Sequence, residues 1–242
     1  MIIHILQMLR RIVLIVVCYG FAAMNNQPVS AQTVDVSAKI VIRGRSRTLK
    51  KTLAVPDAVV WLSPLQPLKS KPRPHAPFRL VQKNKQFTPH LLVVPAGSSV
   101  EFPNEDPFFH NVFSLFNGKR FDLGLYESGA SRSVKFDQEG VSYIFCNIHP
   151  GMGAVVLVLN TPFYTVSGSN GEVVIHDVPQ GVYRLHVWSE RARVKSMNIP
   201  REVQISASTA SLGEIDMELT ASPEADHKNK FGEDYKNSQA TY

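Results

Sequence analysis

Hydrophobic and polar residues alternate along most of this chain in short runs, which is the pattern of β-strands. Residues 34–42 alternate apolar with polar side chains, and residues 154–159 are apolar throughout, as in a strand buried on both faces. Gly, Pro, Asn or Asp separates most of these runs. Further strands are predicted at 58–62, 91–94, 99–103, 133–136, 141–146, 163–166, 172–175, 181–188, 203–206 and 214–219. The pattern therefore predicts an all-β protein.

The first residues have the features of an export signal. Arg10 and Arg11 precede an apolar run at 12–23, and small residues lead up to Ala31. The apolar run is too short for a permanent membrane span, so we interpret 1–31 as a cleaved signal peptide. An uncleaved anchor is the alternative. Export predicts a bacterial protein that is periplasmic or otherwise outside the cytoplasm, with no permanent membrane span after cleavage.

Composition and charge narrow the class of protein. The 242 residues are 44% hydrophobic and 19% charged, which fits a folded globular chain. Without the leader, 24 Lys and Arg remain against 20 Asp and Glu, a net charge of +4 instead of +6. These charges are spread out, with no basic stripe or interleaved aromatic residues, so nucleic acid is not an expected partner.

The cysteine count points to a special role for one residue. The chain has two cysteines, Cys18 and Cys146, and cleavage of the leader removes the first. Exported proteins usually pair their thiols in disulfides. Cys146 is therefore expected to be a free thiol, to bridge to another molecule or to bind a metal.

A second motif surrounds this cysteine. The sequence from Cys146 to Met152 is C-N-I-H-P-G-M, with thiolate, imidazole and thioether three residues apart after a predicted strand. The Pro-Gly pair after His149 favours a sharp turn, which would let these side chains converge. Soft sulfur ligands with imidazole suit copper. A further imidazole must come from elsewhere, and His110 in F-F-H-N-V-F-S is the candidate.

Residues 87–159 resemble the cupredoxins, the family of plastocyanin, pseudoazurin and amicyanin. The matching stretches are F-T-P-H-L-L-V-V-P-A-G-S-S-V-E-F-P-N, H-N-V-F-S and G-V-S-Y-I-F-C-N-I-H-P-G-M. The resemblance implies a Greek-key sandwich with one type 1 copper ion. It implies three equatorial ligands, His110, Cys146 and His149, and a long axial bond to Met152. It also implies that Asn111 hydrogen-bonds to the cysteine-bearing loop and holds it rigid. The ligand spacing is most similar to that of amicyanin.

The flanking sequences resemble a different fold. G-S-N-G-E-V-V-I-H-D-V-P-Q-G-V-Y-R-L-H-V-W and P-D-A-V-V-W-L-S-P look like the carboxypeptidase-regulatory, transthyretin-like β-sandwich. We hypothesise that 33–63 and 163–220 form this second, smaller sandwich, with the cupredoxin inserted into it. The expected divisions are a signal peptide at 1–31, flanking strands at 32–63, a Pro-rich connector at 64–77, a copper domain at 78–160, the rest of the flank at 161–220 and a disordered tail at 221–242.

The whole chain is similar to bacterial proteins labelled methylamine-utilisation-like or plastocyanin-like, a label that does not establish methylamine chemistry. The resemblance implies one-electron transfer with a redox partner protein and no substrate turnover, so the chain is not expected to be an enzyme by itself. The alternatives are copper storage or delivery, and a scaffold or adhesion module with a vestigial metal site. A Cys–His nucleophile pair lacks a catalytic-cysteine signature, and Met152 argues against zinc.

Three other features of the sequence lie outside the proposed ligand set. His90 precedes a predicted strand and is expected to face solvent and not to bind metal. Phenylalanines crowd around His110, and we expect them to be core residues, although some could form a docking face. The stretch F-D-L-G-L-Y at 121–126 has no evident physical role in the sequence.

Overall fold

The computed structural model describes residues 32–42, 57–67, 77–115, 118–191, 201–218 and 229–233. Every helix or strand assigned within these ranges is a strand, so the all-β prediction is confirmed. The strands are β1 (Thr33–Ile42), β2 (Val59–Pro64), β3 (Phe78–Arg79), β4 (Val81–Lys83), β5 (Gln86–Thr88), β6 (Leu91–Pro95), β7 (Ser98–Pro103), β8 (His110–Ser114), β9 (Phe121–Tyr126), β10 (Ser131–Phe136), β11 (Gly140–Phe145), β12 (Gly153–Leu159), β13 (Tyr164–Val166), β14 (Glu172–Pro179), β15 (Gly181–Trp188), β16 (Arg201–Ile205) and β17 (Ser211–Met217).

The middle of the chain, residues 78–159, forms two facing sheets that we call the inner sandwich. One sheet has the strand order β6-β12-β11-β8-β9, and the other has the order β10-β7-β3. The hairpin β4–β5 contacts β7 and β12. Val100, Phe102, Ile144 and Val156 are among the fully buried side chains of its core. The apolar run of β12 is buried from Ala154 onward, as its composition predicts.

Strands from both ends of the described chain form what we call the outer sandwich, residues 33–64 and 164–217. Its sheets have the orders β14-β1-β17 and β13-β2-β15-β16. β1 pairs antiparallel with β14 and parallel with β17. Its core contains Val36, Ile40, Leu62, Ile175 and Ile205. The chain therefore leaves the outer sandwich after β2 and returns to it at β13.

An apolar contact joins the two sandwiches, and the alternation along β2 explains it. Successive side chains of a strand point to opposite faces. Val60 and Leu62 accordingly belong to the outer core, whereas Val59 and Trp61 pack with Leu157 and other residues of the inner sandwich. The described residues from Thr33 onward belong to one compact unit.

Several observed features differ from the sequence expectations. The hydrophobic pattern does not predict β3, β4, β5, β8 or β9 as strands, and three of these have only two or three residues. The expected disordered tail contains an ordered turn at 229–233. The signal peptide, residues 68–76 of the connector and the rest of the tail lie outside the described residues. Within the described ranges we find no helix of the length and apolarity that crossing a membrane requires.

Candidate metal centre

The loop between β11 and β12 folds back on itself. The backbone N–H of Cys146 donates to the carbonyl of Met152 at 3.1 Å, and the N–H of Met152 donates to the carbonyl of His149 at 3.2 Å. Gly151 has a φ of 80°, a conformation that side chains disfavour. The Pro-Gly sequence therefore allows the tight turn that brings Cys146 and His149 to one point.

His110 reaches the same point from a neighbouring strand. It is the first residue of β8, which pairs with β11 through Phe113 and Phe145. Its imidazole is fully buried, as is Cys146, whereas His149 is partly exposed. The three side chains thus form a buried cluster that opens to the surface only at His149.

The donor atoms of these three residues form a compact triangle. Sγ of Cys146 lies 3.5 Å from Nδ1 of His149 and 3.8 Å from Nδ1 of His110, and the two Nδ1 atoms are 3.1 Å apart. Sulfur and nitrogen ligands about 2.0–2.3 Å from a shared ion, in one plane with it, lie about 3.5–4.0 Å from one another. The triangle fits a single metal ion with a slight expansion between the imidazoles.

Met152 is the last residue of the ligand loop, directly before β12. Only 1% of its surface is exposed, and it belongs to the same core cluster as Cys146. Its position makes the thioether available to the interior of the inner sandwich and not to solvent. Its role as a fourth ligand remains a prediction.

The surroundings of the cluster favour the neutral form of the His149 imidazole and the neutral thiol of Cys146. A bound cation would be needed to make the thiolate the favoured form. Burial raises the pKa of the Cys146 thiol, although backbone N–H groups of Asn111, Ile148 and His149 oppose the shift. Burial, with smaller electrostatic contributions from His110 and Lys85, lowers the pKa of His149 to about 4. His149 therefore has a lone pair for a metal at neutral pH, and a bound cation would favour the thiolate.

A buried carboxylate, which the sequence analysis did not identify, orients His110. Nε2 of His110 lies 2.8 Å from Oδ2 of Asp106, and the two side chains are 0% and 5% exposed. A hydrogen bond from Nε2–H to the carboxylate leaves Nδ1, which faces Cys146, as the nitrogen that can bind a metal. Burial raises the pKa of Asp106, but hydrogen bonds from the Lys85 amide and from His110 outweigh it, so the pKa is lowered.

Asp106 also fixes the β4–β5 hairpin. The two-residue turn has φ angles of 54° at Asn84 and 58° at Lys85, as in a type I′ turn. The N–H groups of these residues donate to Asp106 at 2.6 and 2.9 Å. Residues such as lysine seldom adopt a positive φ. The amide of Lys85 is held in this conformation by the same carboxylate that orients His110. The sequence offers one sign of this role, because Asp106 is a carboxylate four residues before the candidate ligand His110.

Asn111 connects β8 to the ligand loop. Its Oδ1 accepts a hydrogen bond from the N–H of Asn147 at 3.3 Å, the type of contact that the family resemblance implies. Its Nδ2 donates to Oδ1 of Asp122 at 2.8 Å. Asn111 therefore joins the residue after Cys146 to β9.

The other sequence candidates lie in varied surroundings. Phe113 is buried, but Phe109 is 55% exposed, so the expectation that these phenylalanines are core residues is wrong for Phe109. The ring of Phe108 lies edge-on to His110, with centroids 5.2 Å apart. The side chain of His90 is more than half exposed, and its Nε2 contacts Glu190 and none of the metal-ligand candidates.

No protein-family model and no curated protein matches the chain. Among solved structures, a purple cupredoxin from Nitrosopumilus maritimus is 25% identical over 34% of this chain and all of that chain, with a TM-score of 0.32. A copper-containing nitrite reductase from Thermus scotoductus SA-01 is 23% identical over 40% of this chain and 25% of that chain, with a TM-score of 0.35. An oxidised amicyanin variant is 20% identical over 37% of this chain and 97% of that chain, with a TM-score of 0.33.

Proposed function

We propose that this protein is an exported type 1 copper protein that transfers single electrons. His110, Cys146 and His149 bind one copper ion in this proposal, and Met152 is a weak fourth ligand. The observation that carries the proposal is the triangle of one Sγ and two Nδ1 atoms with sides of 3.1–3.8 Å. Two imidazoles, one thiolate and a weak thioether are the donor set of a blue-copper site.

The chain's own residues supply the features that electron transfer needs. Copper in this donor set supplies a one-electron couple between the cuprous and cupric states. Asp106 and Asn111 restrain His110 and the ligand loop, which favours one geometry in both oxidation states. The core around Cys146 excludes water, and the partly exposed edge of His149 is the proposed contact with a redox partner.

Burial favours a resident metal over storage or delivery. Cys146 and His110 are fully buried and Met152 is 1% exposed, so a partner could reach only His149 directly. Zinc could also occupy a Cys and His triangle, but copper binds nitrogen and sulfur ligands more tightly than zinc does, and methionine is a poor zinc ligand.

A copper titration tests the proposal. We expect metal-free protein to bind one equivalent of Cu(II) and to develop an intense visible thiolate-to-copper band. Cys146→Ser should abolish the band and His149→Ala should abolish or strongly shift it, while far-ultraviolet circular dichroism shows an intact fold. His176→Ala is the matched control, since His176 lies exposed on the outer sandwich. A folded wild-type protein that binds no copper would rule the proposal out.

Two further measurements separate electron transfer from the alternatives. Electron transfer predicts a reversible couple by voltammetry and slow loss of Cu(I) to a chelator. Rapid loss of Cu(I) to the chelator would instead indicate storage or delivery.

A further inference from the structure

The five residues 229–233, which we call the tail turn, have a defined local structure. Oδ1 of Asn229 accepts hydrogen bonds from the N–H groups of Phe231 at 2.9 Å and Glu233 at 3.0 Å. The N–H of Asn229 donates to the carbonyl of Glu233 at 2.8 Å. These local bonds hold the turn in one shape and leave Lys230 to make contacts elsewhere.

Lys230 contacts the candidate metal centre at two points. Its backbone N–H donates to Oδ1 of Asn147, the residue after Cys146, at 2.9 Å. Its ammonium donates to Oδ2 of Asp122 at 2.7 Å. The two charged side chains are 27% and 38% exposed, and thus better shielded than the Lys119–Asp137 pair at 38% and 51%. Shielding strengthens an ion pair relative to one at the open surface.

These contacts close a ring of four residues. Lys230 bonds to Asp122, Asp122 to Asn111, Asn111 to the N–H of Asn147, and the side chain of Asn147 back to Lys230. Each of the four residues is hydrogen-bonded to two others of the ring. Asn147 is therefore held through both its backbone and its side chain, immediately after Cys146.

The irregularity of the β8–β9 pairing explains how Asp122 reaches this ring. The register shifts between Asn111 and Phe113, so that Asn111 is opposite Leu125 and Phe113 is opposite Asp122. A shift of this kind re-aims side chains, and Oδ1 of Asp122 accepts from the N–H of Gly124 as well as from Asn111. The stretch F-D-L-G-L-Y thereby gains a physical role.

We propose that Lys230 is a positioning residue of the metal centre, which closes this ring and so restrains Asn147 and the adjoining Cys146. The part that concerns copper rests on the proposed function. The ring consists of hydrogen bonds between the chain's own residues, so its restraint on Asn147 can be measured in metal-free protein. Charge-assisted hydrogen bonds such as Lys230–Asp122 are about twice as strong as neutral ones, which makes this bond the one to break.

Hydrogen exchange of the Asn147 amide is the first readout, made on the full metal-free protein. We expect Lys230→Met to speed this exchange about tenfold, because the ring opens and the N–H of Asn147 loses its restraint. Lys230→Arg should restore most of the protection. Lys119→Met removes an ion pair of the inner sandwich outside the ring and should leave the exchange unchanged.

The thiolate-to-copper band is the second readout, since a general loss of stability does not shift its position. We expect Lys230→Met and a chain ending at Glu218 to shift the band in the same direction, while Lys119→Met leaves it in place. The inference is overturned if both tail variants keep the wild-type exchange rate of Asn147. A wild-type protein without copper would refute the proposed function alone, because the exchange measurement would still decide the role of Lys230.

Discussion

The two sandwiches differ in whether they bury carboxylate and imidazole side chains. In the outer sandwich, Ser167 accepts from the N–H of Ala58, and Thr161, in the segment that leads into this sandwich, donates to the carbonyl of Leu62. Neutral hydroxyls thus complete backbone hydrogen bonds there. The inner sandwich also has such hydroxyls, since Ser98 donates to the carbonyl of Pro95, but it buries in addition the ionisable groups His110 and Asp106 beside Cys146.

This difference separates a packing role from a functional one. A buried hydroxyl that completes a backbone hydrogen bond satisfies groups that folding has already buried. Burying a carboxylate and an imidazole costs free energy unless each is bonded to a partner. His110 and Asp106 satisfy each other, and the remaining nitrogen of His110 points to Cys146 and His149. Where His110, Cys146 and His149 meet, the inner sandwich therefore has converging donor atoms in place of apolar side chains.

The largest expected effect is on stability, from a substitution in the apolar interior. Ile40→Ala in the outer core should lower the free energy of unfolding by about 2–5 kcal/mol, because it removes buried methyl groups and leaves a cavity. Urea unfolding of the metal-free protein measures the loss. The copper affinity of the folded protein should not change, and a parallel fall in affinity would contradict the division of roles between the sandwiches.

A substitution beside the candidate ligands should instead change the affinity for copper. Asp106→Asn removes the charge that makes His110 a more basic ligand, and we expect copper affinity to fall about 10–100-fold. The reduction potential should rise, since a weaker imidazole donor stabilises the cupric state less. Competition titration and voltammetry measure both effects.

Asp137→Asn is the control for this substitution, because Asp137 pairs with Lys119 at the surface. Equal effects of the two substitutions would show that Asp106 acts only through net charge.

The smallest expected effect concerns His90, at the contact between the sandwiches. Its Nδ1 faces the carbonyl of Gly153 at 3.1 Å and its Nε2 faces Glu190 at 2.6 Å, so the imidazolium satisfies both. The hydrogen bond to Glu190 raises the pKa of His90. The contact should therefore stabilise the fold fully below about pH 6.5, and the contribution is lost as pH rises through the folded-state pKa.

Because the His90 side chain is more than half exposed, this contribution should be only about 0.2–1 kcal/mol. Nuclear magnetic resonance titration of the His90 ring and urea unfolding on either side of the transition measure it. Glu190→Gln should bring the pKa of His90 towards 6.5 and reduce the pH dependence. An unchanged titration in this variant would show that Glu190 does not cause the shift.

The sequence predicts the part of this account that local patterns encode. Alternation along the chain is enough for the all-β fold, and the spacing of Cys146, His149 and Met152 brings attention to the ligand loop. His110 required the resemblance to a family, because it lies 36 residues before the cysteine. Short strands such as β3 and β4 contain too few residues to show a period of two.

The supporting residues could not be predicted because long-range hydrogen bonds leave no periodic pattern. Asp106 is an ordinary loop aspartate until the hairpin at Asn84 packs against it. Lys230 lies in a polar tail whose composition is typical of disorder, and its partner Asp122 is 108 residues away in the chain. Folding alone brings these pairs together.

X-ray absorption at the copper edge of the loaded protein decides whether Cys146 binds copper, because it identifies the atoms bound to the metal. We expect one short copper–sulfur distance and two imidazole nitrogens, with the sulfur contribution lost in Cys146→Ser. A spectrum with nitrogen and oxygen ligands only, unchanged by Cys146→Ser, would contradict copper binding by Cys146.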